Sequence, residues 1–301
     1  AGDDRLSVHG VKFINDGSYP SMTLQLGYPG YLDGEHGLTG EIPWEEVYDR
    51  MLPYWEAGVQ IHSHANGDAT VDMTLDVLSR LQATRPRFDH RFVIEHYCLS
   101  TPAQARRLAA LGGMASVNAY FVRYRARMHA DAGFGPDRSE ATARLGSLVS
   151  AGAQFAIHSD FNLVVTPLSP LSVASIAVTR LADDGETVLA PGERISVERA
   201  MRAITVDAAH VLSRDHEIGS IEPGKFADFA VLADDPFVIG KVEGRRLHAA
   251  VAVTRREHRV DDRNRRQRPE LRVAMPRLDG QVVFNLLQRG RELLQPGRLG
   301  R

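Results

Sequence analysis

Three short runs in this chain each close on a side chain that can bind a metal: VQIHSH at residues 59–64, FVIEH at 92–96 and FAIHSD at 155–160. Each is followed by a segment with helical periodicity. Short apolar runs alternating with amphipathic helices read as a parallel sheet covered by its own crossovers. In such sheets the groups that do chemistry collect at the C-terminal ends of the strands, where His64, His96 and Asp160 fall. A strand that ends in a ligand and turns into a helix is the building block of a metal-dependent (β/α) barrel. Nitrogen and carboxylate donors of this mix suit zinc or a similar divalent ion.

The alternation extends along the chain. GVKFIND (10–16) reads as a strand, and the Gly- and Pro-rich segment 19–40 as a long loop of the kind that is usually functional or disordered. Helices are expected over 44–58, over 69–83 with Asp68 as N-cap, from Thr101 with Pro102 at its first position, over 139–152 and over 167–182. GMASVN (113–118) supplies a further strand, and a polar loop runs from there to Pro136. That makes five strand–helix units, where a closed barrel needs eight. An open parallel sheet of five satisfies the same alternation. After Leu181 the pattern changes to a helix over 196–212 and then strands at DFAVLA and within 247–260, a small β-rich unit. The arginine-dense segment 255–268 reads as a solvated connector in preference to a nucleic-acid patch.

Composition excludes several classes. At 301 residues with 43% hydrophobic and 25% charged side chains the chain has the make-up of a soluble globular protein. A net charge of −2 gives no push toward nucleic acid or membrane, and no apolar run reaches the ~20 residues that cross a bilayer. The single cysteine, Cys98, precludes an internal disulfide and reads as a buried, inert thiol, so a cytoplasmic location is expected. The first residues, AGDDRLSVHG, carry neither an initiating methionine nor a signal peptide, and the chain reads as a piece of something longer. There is no Gly-x-Ser-x-Gly elbow, phosphate loop or dinucleotide fingerprint.

His62 and His64 share one face of their strand, with His64 at the mouth as the favoured ligand and His62 one layer deeper. His96 repeats the His64 position one unit later, and Glu95 is expected on the opposite face as a partner for a helix or for Arg91. Asp160 at a strand mouth can bind metal and take a proton from an attacking water, or can cap a turn. His158 shares its face one layer down. Lys12 stands inside an apolar strand, where a buried lysine must be paired, chemically altered or snorkelling. Asp16, next to Gly17, reads as a turn residue.

Four segments, VKFINDGSYPSMT, HSHANGDATVDMTLDVL, RFVIEHYCLS and FAIHSDFN, together resemble the amidohydrolase superfamily in its YtcJ-like (amidohydrolase 3) branch. A fifth, residues 204–237, resembles the superfamily's C-terminal signature. The resemblance implies an α/β, TIM-barrel-type metal-dependent hydrolase represented by strand–helix units four to eight (1–212), then part of a small composite β-sandwich (213–260) and an arginine-rich tail (261–301). It implies one or two divalent metals, zinc first among them, held by His64, His96 and Asp160. Lys12 matches the position where a carboxylated lysine often bridges two metals. The implied reaction is hydrolysis of an amide-type C–N bond, not a peptide bond, with Asp160 as general base and Tyr120 and Arg123 offered for substrate contact. Family members also carry a His-x-His strand ahead of the one matched by Lys12, and nothing before Lys12 fills that place. The chain is therefore expected to be inactive alone and to expose open edges, which homodimerisation or strand exchange would cover or which would lead to aggregation. Its partner is a small amide-type molecule, with no nucleic acid or membrane. The alternative is a non-catalytic regulatory or binding protein that reuses the scaffold.

Overall fold

The computed structural model describes residues 8–161, 168–232 and 235–237, together with strand backbones at 251–256 and 282–283. Five short strands, β1 (Gly10–Ile14), β2 (Gln60–Ala65), β3 (Val93–His96), β4 (Met114–Val117) and β5 (Gln154–Ile157), form one sheet in sequential order. Every pairing is parallel, as expected when each strand is joined to the next through a helix. The register sets Lys12 beside His62, Ile14 beside His64 and Ala65 beside His96. The chain is thus an α/β protein with a parallel sheet.

Helix α1 (Trp44–Glu56) buries Val47, Met51 and Trp55, one side chain per turn. Helix α2 (Asp68–Thr84) buries Val71, Leu75, Leu78 and Leu81 in the same way. Helix α3 (Pro102–Ala110) opens with Pro102 at its first position, and Thr101 and Gln104 form a reciprocal capping box. These helices, the strand residues Ile61, Ile94 and Phe155, and Phe92 just ahead of β3 share one continuous core.

Two expected helices are interrupted. The segment 139–152 is split between α6 (Pro136–Glu140) and α7 (Leu145–Ser150), preceded by α4 (Tyr120–Tyr124), α5 (Ala126–His129) and a π-turn at Ala130–Phe134 where a polar loop was expected. The cause is Arg180, whose fully buried guanidinium takes the carbonyls of Glu140, Thr142 and Ala143 that a continuous helix would have used itself. Ala143 adopts φ 54° at the break. The segment 196–212 likewise divides into α9 (Val197–Ala203) and α10 (Val206–Val211), with α8 (Pro170–Thr179) before them. Beyond these, β6 (Ala227–Leu232) pairs antiparallel with β7 (Val251–Arg256) and β8 (Val282–Val283) in the order β7-β6-β8. The rest of the arginine-dense segment lies outside the described residues.

The loop after β1 is ordered and carries its own small core of Tyr19, Leu24 and Leu26 against Cys98, Leu99, Phe121 and Phe134. It runs so close to the start of α2 that a Cβ on Gly67 would stand 1.8 Å from Gln25 O. The N-cap of α2 is this Gly67, not Asp68. Asp68 instead accepts the Gly27 N–H at 3.0 Å and pairs with Arg138 at 2.6 Å, tying the loop to α2 and α6.

Candidate metal centre

The C-terminal ends of β2, β3 and β5 bring His64, His96 and Asp160 together. The His64 and His96 rings meet edge-on with centroids 4.5 Å apart. His96 Nδ1 lies 4.0 Å from Asp160 Oδ2. His96 is 5% exposed, its backbone φ is 72°, and its Nδ1 is buried with no hydrogen-bond partner among the described residues. Burial, reinforced by the nearby His158, His64 and Lys12 charges, holds its pKa well below the ordinary value, so the ring is neutral with a lone pair to offer.

His64 is fixed from behind. Its Nε2 stands 3.1 Å from Gly17 O and 2.8 Å from Asn66 Nδ2, so this nitrogen is engaged whichever group carries the proton, and Nδ1 is the one left to coordinate. Burial also lowers the pKa of His64. Asp160 sits at φ 50° just after β5, in a turn held by the Asn118 side-chain amide donating to Ser159 O at 3.3 Å.

One layer deeper, His62 Nδ1 and Glu95 Oε1 are 2.6 Å apart. Glu95 therefore lies on the side of the sheet that carries His62 and His64, where the opposite face and a contact with Arg91 were expected. Arg91 pairs instead with Asp89 and Asp215. The left-handed backbone at His96 ends the strand alternation and returns its ring to the same side. Burial pushes the Glu95 pKa up, but the His62 hydrogen bond and the His158 and His62 charges outweigh it and bring it to about 2. The ring of His158 packs 5.1 Å from that of His96, and its Nε2 is buried without a partner among the described residues.

Lys12 shares this side of the sheet but is exposed on β1, as is Ile14 at 47%. Among the described strands β1 pairs only with β2, so nothing buries the lysine as the sequence reading had assumed. Tyr120 is 0% exposed and its hydroxyl donates to Ser169 O at 3.0 Å, while Arg123 is half-buried on α4. Cys98 is fully buried, its thiol 2.9 Å from Asn66 Oδ1 and its pKa pushed well up by burial.

Asp16 carries more than a turn. It is 3% exposed and its carboxylate accepts the N–H groups of Gly67 at 2.8 Å, Asn66 at 3.0 and 3.1 Å and Gln25 at 3.3 Å, with His64 Nε2 at 3.5 Å. Burial raises its pKa to about 7 against the opposing pull of those N–H groups. The signal was present in sequence only as an acidic residue beside a glycine.

The donors fit a divalent ion in chemistry: neutral imidazoles, one with an orphaned buried nitrogen, facing a carboxylate. Among the described residues, no three His, Cys, Asp or Glu side chains already converge at ligand distance.

The family model of the amidohydrolases matches residues 1–283. The chain is 34% identical over 231 residues to the protein LONG AFTER FAR-RED 3 of Arabidopsis thaliana, covering 76% of this chain and 39% of that one. It is 26% identical over 247 residues to the N-substituted formamide deformylase of Arthrobacter pascens, covering 79% and 43%. An uncharacterised metal-dependent hydrolase of Pyrococcus furiosus superposes with a TM-score of 0.62 at 26% identity, covering 75% of this chain and 44% of that one. The chain thus spans less than half the length of each of these proteins. It belongs to the amidohydrolase family, in its YtcJ-like branch.

Proposed function

We propose that the whole protein is a metal-dependent hydrolase of amide-type C–N bonds, with N-substituted formamides the first substrates to test. The observation that carries this reading is the meeting of His64, His96 and Asp160 at the C-terminal ends of parallel strands, with His96 Nδ1 buried and unpartnered among the described residues. His64 and His96 would hold the ion through neutral nitrogens, with Asp160 as the carboxylate ligand. A divalent ion in this place supplies a Lewis acid for the carbonyl oxygen and acidifies water. Asp160 takes the proton from the attacking water and returns it to the leaving nitrogen. Glu95 and His62 brace the floor of the site, and Gly17 O and Asn66 hold the His64 ring. Lys12, on the same side of the sheet, is the residue that would be carboxylated in a two-metal version, and Arg123 is the proposed contact for substrate.

In the same reading, residues 1–212 belong to a (β/α) barrel as its units four to eight, 213–260 contribute to a β-sandwich, and the protein is cytoplasmic. The described residues contain no helix long and apolar enough to cross a membrane. The relative named as a formamide deformylase supports the substrate class.

The test is metal content by mass spectrometry on purified protein, with turnover of a panel of N-substituted formamides before and after chelation. Bound metal and chelator-sensitive release of formate are expected. A protein that holds no divalent ion after zinc loading overturns the reading. That result would favour a non-catalytic regulatory protein on this scaffold, a reading to which the exposed Lys12 and the unconverged donors also lend weight.

A further inference from the structure

We infer that Asn66 holds the neutral His64 ring in the tautomer with its proton on Nδ1, so that His64 offers the strand mouths an N–H and not a lone pair until that proton moves. Its consequence for an ion rests on the reading that His64 is a ligand. Asn66 is 2% exposed and pinned through its main chain: its N–H donates to the Asp16 carboxylate at 3.0 and 3.1 Å, and its carbonyl accepts the Leu99 N–H at 2.8 Å. Two neighbours then choose the orientation of the side-chain amide. Gly17 O carries no hydrogen and lies 2.8 Å away, so it has to face the amide nitrogen. On the other side the Cys98 thiol donates to the amide oxygen at 2.9 Å. Both select the same orientation.

An amide nitrogen has two hydrogens to place. One goes to Gly17 O, and the other points at His64 Nε2, 2.8 Å away. Nε2 therefore accepts with its lone pair, and in a neutral imidazole the proton then sits on Nδ1. A proton on Nε2 would set N–H against N–H at that distance. Acceptors for the other tautomer are nonetheless in place, Gly17 O at 3.1 Å and Asp16 Oδ1 at 3.5 Å from the same nitrogen. To coordinate through Nδ1, the ring gives that proton to water and takes one at Nε2, with no net change in charge, and Asn66 has to release Nε2 first. Asn66 is thus a latch that opposes capture of an ion by His64. The unconverged donors among the described residues are in keeping with this latched state.

Long-range proton–nitrogen NMR of the histidine-labelled, chelator-treated chain reads the tautomer, with the His64 signals identified by their loss in His64→Gln. Nδ1 protonated and Nε2 bare are expected for wild type. Asn66→Leu keeps the size of the side chain and frees Nε2 to donate to Gly17 O. It should move the proton to Nε2 and tighten zinc binding about 10-fold, read by competition with a chromophoric chelator. A residue that merely braced the ring would give the opposite sign. Should Asn66→Leu not fold, the wild-type tautomer decides alone. A proton on Nε2 in metal-free wild type, or weaker zinc binding in folded Asn66→Leu, would overturn the latch and leave the hydrolase reading standing. The expected tautomer with no zinc binding by either protein would overturn the hydrolase reading and leave the His64 assignment standing.

Discussion

The carboxylate of Asp16 and the main-chain N–H of Gly67 are 2.8 Å apart, across fifty-one residues of sequence. Through this contact the residue that ends the β1 segment caps α2, the helix that follows β2. The same carboxylate gathers the N–H groups of Asn66 and Gln25, and it sets Gly17 O against His64 Nε2. Asp16→Ala strips two buried N–H groups and one part-buried N–H group of their acceptor and should destabilise the fold by roughly 2–4 kcal/mol. Urea unfolding reads this directly, and a loss under ~0.5 kcal/mol would show that water replaces the carboxylate without penalty.

Gly67 is required for space, not for backbone angle, since its φ is −89°. Gly67→Ala would drive a methyl group into Gln25 O and should lower stability by about 1–3 kcal/mol through forced displacement of the loop. An unchanged melting temperature would mean that the loop does not seat as described.

His129 is fully buried between Tyr19 and Phe134, both ring nitrogens lack partners among the described residues, and burial with help from the Arg125 charge lowers its pKa to about 4. The unfolded chain then binds a proton near pH 6.5 that the folded chain refuses until about pH 4. Stability is therefore complete above pH 6.5 and falls between those values as pH drops, by roughly 3 kcal/mol. His129→Phe preserves the ring packing and should flatten that part of the pH–stability curve. An identical acid slope in the variant would assign the loss to other groups.

Asp160→Asn keeps the size of the side chain and removes the base. Under the proposed function it should lower kcat by about 100-fold or more. Full turnover in Asp160→Asn, at wild-type metal content, would remove Asp160 from the mechanism.

Much of the site was legible because strand periodicity and parallel order are local properties. Five apolar runs separated by helical segments fixed five parallel strands, and period two placed His62 and His64 on one face. Glu95 and His96 were misassigned relative to each other because period two was carried one residue too far. The left-handed turn at His96 appears only where the strand meets its neighbours. Lys12 was read as buried because an apolar strand suggests an interior one, and its exposure depends on what pairs with β1. The breaks in 139–152 and 196–212 were invisible for a related reason. In the first, Arg180, thirty-seven residues from Ala143, competes for the carbonyls that would have continued the helix.

The sequence by itself determined the five strands, their parallel order and which donors stand at strand ends, since these follow from side-chain periodicity and turn chemistry along the chain. Only the tertiary structure decided that Asp16 is a buried helix cap, that Glu95 serves His62, and that the rings of His96 and His158 pack edge-on, each with one buried nitrogen lacking a partner among the described residues. Those are facts about contacts between residues far apart in sequence. What settles them is which hydrogen-bond partners remain once burial has removed water.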